Sequence, residues 1–173
     1  VASVPFQGAE NVVEEFVIYA DFNCPFCYAL NERLDDLNGS HRFHWRPIQH
    51  MPSIDGALLA PATQAQLASE VFTVRHRAPD VTISLPPVWS NSRRATEAYV
   101  AAEAIDSKRA ATLRRDIYGA LWKDGRDIAD PAVITDLLQS HGFEDVDADL
   151  DTRLALGEWQ RLWQEGPYDK RIP

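Results

Sequence analysis

The chain has 173 residues, of which 45% are hydrophobic and 25% are charged, and its formal net charge is -9. This length and composition predict one folded domain, or one domain with an insertion, and exclude a mostly disordered protein. The negative charge argues against a surface for nucleic acid or anionic membranes, and no apolar run approaches the roughly 20 residues that span a bilayer.

The first part of the chain predicts a strand, a helix and a second strand. The segment EFVIYADF, residues 15–22, is rich in β-branched and aromatic residues and predicts a short buried strand. Helical spacing of apolar residues begins at Pro25, which suits a first turn, and Asn38-Gly39 predicts the helix end. The segment HRFHWRPI, residues 41–48, alternates aromatic and polar residues and predicts the strand that closes a βαβ unit. Because the connection is helical, we expect parallel strands.

From Pro52 the pattern is helical for about a hundred residues, a length that predicts an inserted unit. Asp130 and Pro131 form a cap and first-turn pair, while Gly125 and Gly142 predict helix ends. Five helices are predicted: one around Leu67 to Val74, one from about Asn91, one after Ser107, one from Pro131 and one over about 147–165. All the tryptophans are predicted to be core residues: Trp45, Trp89, Trp122, Trp159 and Trp163.

The two cysteines, Cys24 and Cys27, lie in the sequence CPFC between the first predicted strand and helix. Backbone N–H groups and the positive dipole end of the helix stabilise an anion there, so we expect the first thiol to ionise more readily than a free one. The second thiol is expected one turn on, deeper and within bridging distance. This asymmetry predicts Cys24 as the nucleophile and Cys27 as the resolving thiol of disulfide exchange. Pro25 stiffens the turn, and Phe26 offers an apolar contact beside the bond.

Three other interpretations of the cysteine pair stay open. A zinc site would need two ligands from His41, His44 and His50, because the chain has no third cysteine. Both cysteines could instead be small core residues, although burial does not explain their spacing. A domain that binds partners without catalysis is the third interpretation. We expect no resident metal and no resident cofactor.

The segment DFNCPFCYALNERL resembles the thioredoxin superfamily, and within it the DsbA-like branch with the FrnE-like proteins and the 2-hydroxychromene-2-carboxylate isomerases. SNSRRATEAYVAAEA and ALWKDGRDIADPAVITDLLQSHGF are similar to the helical insertion of the FrnE-like group. The resemblance implies an α/β, thioredoxin-like fold with a large all-helical insertion over the active site. It implies a βαβ half at 1–52, a helical cap at 53–165, and a return to the thioredoxin-like domain at 166–173.

The resemblance also implies a cis-proline loop opposite the thiols, where Ile172 and Pro173 would present backbone to an extended client. Because a thioredoxin fold continues past this proline with a β-hairpin and a helix, we expect the chain to extend beyond Pro173. Many thioredoxins carry a buried acid six positions before the first cysteine, which is Ile18 here. Asp21 is nearer to the thiols and is an alternative for this role, but a strand-end Asp is more often a solvated or capping residue.

The leading hypothesis is a dithiol-disulfide oxidoreductase that acts on client protein or peptide cysteines, or on small thiols. The isomerase branch typically replaces the first cysteine with serine and uses glutathione, so retention of Cys24 favours the dithiol hypothesis. A glutathione-dependent isomerase or transferase, with glutathione as co-substrate, is the alternative. The start VASVPFQGAE lacks the features of a secretory signal, which predicts the cytoplasm; a signal removed before this residue would place the protein in the periplasm.

Overall fold

The structure, a computed structural model, describes residues 14–34, 41–54 and 60–166, and the side chains at 14, 41 and 42 lie outside that description. The described residues form two strands and six helices in this order: β1 Glu14–Ala20, α1 Pro25–Leu34, β2 His41–Pro47, α2 Pro61–Arg77, α3 Arg93–Ile105, α4 Ser107–Trp122, α5 Pro131–Ser140 and α6 Leu150–Glu165. The predicted βαβ unit and the five later helices are confirmed. The predicted helix end at Asn38-Gly39 and the predicted loop at Ile172 and Pro173 lie outside the described residues.

The two strands pair in parallel, as the helical connection predicts. Ile18 lies opposite Trp45, and Ala20 lies opposite Pro47. The N–H of Ile48 donates to the carbonyl of Ala20 at 2.9 Å, which extends the ladder by one bond beyond β2. The carboxyl ends of both strands therefore meet at one edge of the sheet.

Burial is uneven along β1. Tyr19 and Ala20 are buried, whereas Phe16 and Val17 are 43% and 46% exposed among the described residues. The prediction of a buried strand is thus correct only for the carboxyl half of β1. That half precedes the cysteines, so the strand is best packed where it positions the candidate site.

The helix termini follow the local sequence. Pro25 and Pro131 occupy the first positions of α1 and α5, where a missing N–H costs no helical bond. The Asp130 carboxylate accepts from the Ala132 N–H at 2.8 Å, which confirms the predicted cap of α5. Gly142 follows α5 with a φ of 70°, a left-handed conformation that favours glycine.

The helices after β2 pack on the βαβ unit around one main core. α1 contacts α2 and α4, α3 contacts α4, α5 and α6, and α6 contacts β2. The tryptophan prediction is confirmed for four of the five, since Trp45, Trp89, Trp122 and Trp163 are buried and Trp159 is half-buried. None of the described helices is long and apolar enough to cross a membrane.

The segment between β1 and Cys24, residues 21–23, is called the thiol loop below. All three of its residues are buried, so their carbonyl groups need donors from the protein. Three aromatic side chains from the later helical part supply them: the Tyr118 hydroxyl donates to the Asp21 carbonyl at 3.2 Å, the Trp122 indole to the Phe22 carbonyl at 2.9 Å, and the Trp89 indole to the Asn23 carbonyl at 2.8 Å. These bonds fix the backbone that leads into the cysteines.

Replacement of Trp122 by Phe tests one of these bonds. The change removes the donor of the Phe22 carbonyl along with part of the indole volume. Trp45→Phe is the matched control, because the Trp45 indole is also buried but its Nε1 has no hydrogen-bond partner among the described residues. In urea denaturation we expect Trp122→Phe to lower the free energy of unfolding by about 1–3 kcal/mol more than Trp45→Phe. Equal losses in the two variants would contradict a structural role for the Trp122 bond.

Candidate functional site

Cys24 occupies the N-cap position of α1. Its carbonyl accepts the first helical bond, from the Tyr28 N–H at 3.1 Å, and its own N–H donates to the Asp21 carbonyl at 3.2 Å. The Cys24 Sγ accepts from the Cys27 N–H at 3.4 Å, which is how an N-cap side chain satisfies an unpaired helical donor. The sulfur therefore lies against the positive end of the helix dipole, as the sequence predicts.

Cys27 lies one turn on, behind Cys24. Both residues are thiols, and Cys24 retains 3% of its surface while Cys27 is fully enclosed. Burial raises the pKa of the Cys27 thiol well above its ordinary value. Its hydrogen bond with Cys24 and the negative charges of Cys24 and Asp21 raise this pKa further, while the Asp21 N–H, which donates to Cys27 Sγ at 3.5 Å, acts in the opposite direction.

Asp21 lies under the thiols with a side chain that is fully buried. Its Oδ1 accepts from the Asn23 N–H at 3.2 Å. Its Oδ2 accepts from the His50 N–H at 2.7 Å and lies 2.8 Å from His50 Nδ1. Of the two expected roles, a solvated residue is therefore wrong, whereas the bond from the Asn23 N–H is a local capping contact. The physical reason for the burial is that His50, 29 positions away in the sequence, donates its backbone N–H and places a ring nitrogen against the same oxygen, which offsets the loss of solvent.

Tyr118 encloses the site from α4. Its ring packs on Phe22 at a centroid distance of 4.8 Å, and its hydroxyl holds the thiol loop through the Asp21 carbonyl. Burial raises the pKa of Tyr118 well above its ordinary value, and negative charge on Cys27, Cys24 and Asp21 raises it further. The phenol consequently stays a neutral hydrogen-bond donor at the pH of ordinary experiments.

The other predicted site residues are only partly located. Pro25 is buried in the first turn of α1, and Phe26 is half-buried and packs against the main core. Ile172 and Pro173 lie outside the described residues. Contacts of these four residues with a substrate stay predictions.

The histidines proposed as zinc ligands do not gather around the cysteines in the described part of the chain. His50 is bonded to Asp21, and the exposed His44 lies 3.4 Å from Glu15. The side chain of His41 lies outside the description. Among the described residues, no group of three or more His, Cys, Asp or Glu side chains could hold a metal ion.

The sequence indicates the position of the cysteines but not the partner of Asp21. The strand topology could have indicated this contact. Residues that follow adjacent parallel strands meet at the same edge of the sheet, and Asp21 follows β1 as His50 follows β2. A buried acid and a histidine can therefore be expected to meet there.

The environment of Cys27 leads to a prediction for alkylation. In the variant Cys24→Ala, burial still opposes ionisation of Cys27, so we expect its alkylation rate to reach half-maximum above the free-thiol pH of about 8.5. Mass spectrometry would follow the modified cysteine as a function of pH. The same variant unfolded in urea is the control and should give the free-thiol value. A midpoint at or below that value in the folded protein would contradict the enclosed site.

Several proteins of known structure have a fold similar to that of this chain. The chain resembles the structure of the cytosolic disulfide reductase DsbM from Pseudomonas aeruginosa, with a TM-score of 0.71 and 18% identity over 91% of this chain and 81% of that one. DsbM with GSH gives a TM-score of 0.60 and 22% identity, covering 91% and 82% of the two chains. For 2-hydroxychromene-2-carboxylate isomerase the TM-score is 0.65 and the identity 16%, covering 87% and 79%. No curated protein sequence matches significantly.

These neighbours share the α/β, thioredoxin-like fold that the sequence predicts, and they include the isomerase of the predicted branch. The sequence itself matches the DSBA-like thioredoxin domain over residues 15–158, which include β1 from its second residue on, both cysteines and helices α1 to α5. The chain belongs to the family of DSBA-like thioredoxin domains.

Proposed function

We propose that the protein is a thiol-disulfide oxidoreductase with Cys24 as nucleophile and Cys27 as resolving thiol. The observation that carries this proposal is the position of Cys24 at the N-cap of α1, with its sulfur 3.4 Å from the Cys27 nitrogen. A thiol in this position has its anion stabilised by the helix terminus. Membership of the DSBA-like family supports the same chemistry.

The reaction proceeds by two thiol-disulfide exchanges. The Cys24 thiolate attacks one sulfur of a client disulfide, so a mixed disulfide forms and the other client sulfur leaves as a thiol. Cys27 then attacks the Cys24 sulfur, releases the second client thiol and closes the Cys24–Cys27 disulfide. The client gains two electrons and the protein loses two. Two molecules of a small thiol such as glutathione return the protein to the dithiol and leave as one disulfide. The same steps in reverse oxidise a client.

The surroundings of the two thiols determine which of them attacks the client first. Burial and neighbouring negative charge keep Cys27 protonated, so it is a poor nucleophile toward a molecule in solvent. Cys24 retains the exposed fraction of the pair. The Cys27 thiol instead faces the sulfur of Cys24, which is the atom that it must attack in the second exchange.

We propose that residues 53–165 act as a cap that orders the thiol loop, with 1–52 as the βαβ half and 166–173 as the return to the thioredoxin-like unit. Trp89, Tyr118 and Trp122 support this division, because all three lie in the cap and bond the loop. Pro25, Phe26, Ile172 and Pro173 are proposed contacts for a client peptide.

A glutathione-dependent isomerase or transferase is the second candidate, favoured by the fold shared with 2-hydroxychromene-2-carboxylate isomerase. The dithiol proposal is preferred because this site holds two cysteines, and only the first is needed to activate or replace a glutathione sulfur. Glutathione is proposed as co-substrate, which the DsbM structure with GSH supports, and no resident cofactor is proposed. The cytoplasm is proposed as compartment, since the similar DsbM is cytosolic.

Trapping the mixed disulfide tests the proposal. Reduced Cys27→Ser is mixed with oxidised glutathione or a disulfide-bonded peptide. We expect one stable adduct on Cys24, because no second thiol can displace it. Cys24→Ser is the matched control and should form little adduct, since its remaining thiol is enclosed and protonated.

Mass spectrometry of the intact protein and of its peptides would locate the adduct. An adduct mainly on Cys27 in the Cys24→Ser variant would reverse the assigned roles. The absence of any adduct in either variant would favour a module that binds partners without catalysis.

A further inference from the structure

A groove lies beside the end of β2, between α3 and α6. Two cavities of about 330 Å³ and about 500 Å³ form it, and both are lined by Arg93, Glu97 and Arg153. Because they share these side chains, the two cavities make one continuous groove, which is called the arginine groove below. Volumes of this size are typical of sites that hold a ligand.

The arginine groove is positively charged although the protein is acidic. Among the described residues, three arginines and one acid line it: Arg93, Arg94, Arg153 and Glu97. Its local charge is therefore +2, three positive charges less one negative charge, whereas the formal net charge of the chain is -9. This distribution attracts an anion to the groove and repels it from the protein as a whole.

The arginines keep hydrogen-bond donors available to a ligand. The Arg93 Nε donates to Glu97 Oε1 at 3.0 Å, and the Arg94 Nε donates to the Ala129 carbonyl at 3.2 Å. These bonds orient the two guanidinium groups and leave their terminal nitrogens without a partner in the described part of the chain. The exposed side chain of Arg153 likewise has no hydrogen bond to another described residue. A guanidinium group with free nitrogens binds a carboxylate through two parallel hydrogen bonds.

Two of these arginines occupy a position that is unfavourable for folding. Arg93 and Arg94 are the first two residues of α3, and the first turn of this helix has no acidic residue. The helix dipole is positive at this end, so it repels both cations. An anion bound beside them reduces this repulsion, which favours a binding role over a structural one.

The arginine groove adjoins the thiol loop. Asn91 lines the second cavity and follows Ser90, whose carbonyl accepts from the Asn23 side chain at 3.2 Å. Gln49 lines the first cavity, and its Nε2 donates to Asn91 Oδ1 at 3.1 Å. Since Asn23 immediately precedes Cys24 and an extended peptide advances about 3.3–3.6 Å per residue, a client bound at Cys24 reaches the groove within a few residues.

We infer that the arginine groove binds an acidic segment of the client, so the protein prefers disulfides that have aspartate or glutamate residues nearby in the sequence. This inference rests on the proposed oxidoreductase function and concerns its substrate class. The apolar surface of Pro47, Pro52 and Leu156 in the first cavity suits an apolar client residue beside the acidic ones. Nucleic acid does not suit the groove, because the net charge of -9 repels a long polyphosphate.

Competition between two peptide disulfides tests this inference. The peptides are identical except that two glutamates near one cysteine are replaced by glutamines in the second peptide. Reduced protein is mixed with both, and mass spectrometry after acid quenching measures the rate at which each is reduced. Each rate is divided by the rate with dithiothreitol, which corrects for the intrinsic reactivity of the disulfide. We expect the wild-type protein to favour the glutamate peptide at least about threefold at low ionic strength and to lose this preference at about 1 M salt.

Variants connect the preference to the arginines. Arg153→Gln should lower it, and the double variant Arg93→Gln/Arg153→Gln should abolish it, because the remaining charge of the protein repels carboxylates. Arg93→Lys keeps the charge without the two parallel bonds, so it should retain part of the preference. Arg161→Gln is the matched control. Arg161 also lies on α6 but pairs with Glu158 and Glu165 outside the groove, so its replacement should leave the preference unchanged.

The outcomes separate this inference from the proposed function. Equal reduction of the two peptides by the wild-type protein would overturn the acidic-segment inference while the oxidoreductase function stands. A preference that survives in the double variant, with unfolding in urea unchanged, would do the same. Oxidised glutathione also carries carboxylates, and if only its reduction slowed in Arg153→Gln, the groove would bind glutathione and not a peptide. A wild-type protein that reduces neither peptide nor glutathione would overturn the oxidoreductase function itself.

Discussion

Three consecutive carbonyl groups of the thiol loop, residues 21–23, lie buried where the βαβ unit meets the later helices, and the site depends on how they are satisfied. An unpaired buried carbonyl costs free energy comparable to a lost hydrogen bond. The later helical part pairs all three through Trp89, Tyr118 and Trp122, which are fully buried themselves or nearly so. The part of the chain that contributes no cysteine thus sets the backbone from which both cysteines extend.

The position of the thiol loop also brings several ionisable groups close together. The backbone of the thiol loop brings a carboxylate, two thiols and a phenol into one enclosed region, where negative charge on Cys24 and Asp21 raises the pKa of Cys27 and of Tyr118. Such a site holds additional negative charge only at high cost. Two features reduce this cost. The helix terminus stabilises negative charge on the Cys24 sulfur, and the imidazole of His50 contacts the buried carboxylate of Asp21.

The sequence predicted the elements well because their signals are local. The proline at the start of α1 and the Asp130–Pro131 pair each act within one turn, and the structure confirms both helix starts. Contacts between distant residues were not predictable in the same way. Trp89 and Trp122 were correctly assigned to the core by apolarity, but nothing local indicated that their N–H groups bond the thiol loop. The burial of Asp21 was not predicted for the same reason, because it depends on His50. Its capping contact with the Asn23 N–H is local and agrees with the prediction.

The central claim is that Cys24 and Cys27 exchange electrons as a pair. The most direct measurement is equilibration of the protein with glutathione redox buffers of graded potential, followed by mass spectrometry of the acid-quenched protein. The account predicts one reversible two-electron transition between the dithiol and an internal Cys24–Cys27 disulfide, with the glutathione adduct only a minor species. A pair that stays reduced across the whole range, or that accumulates only the adduct on Cys24, would contradict it.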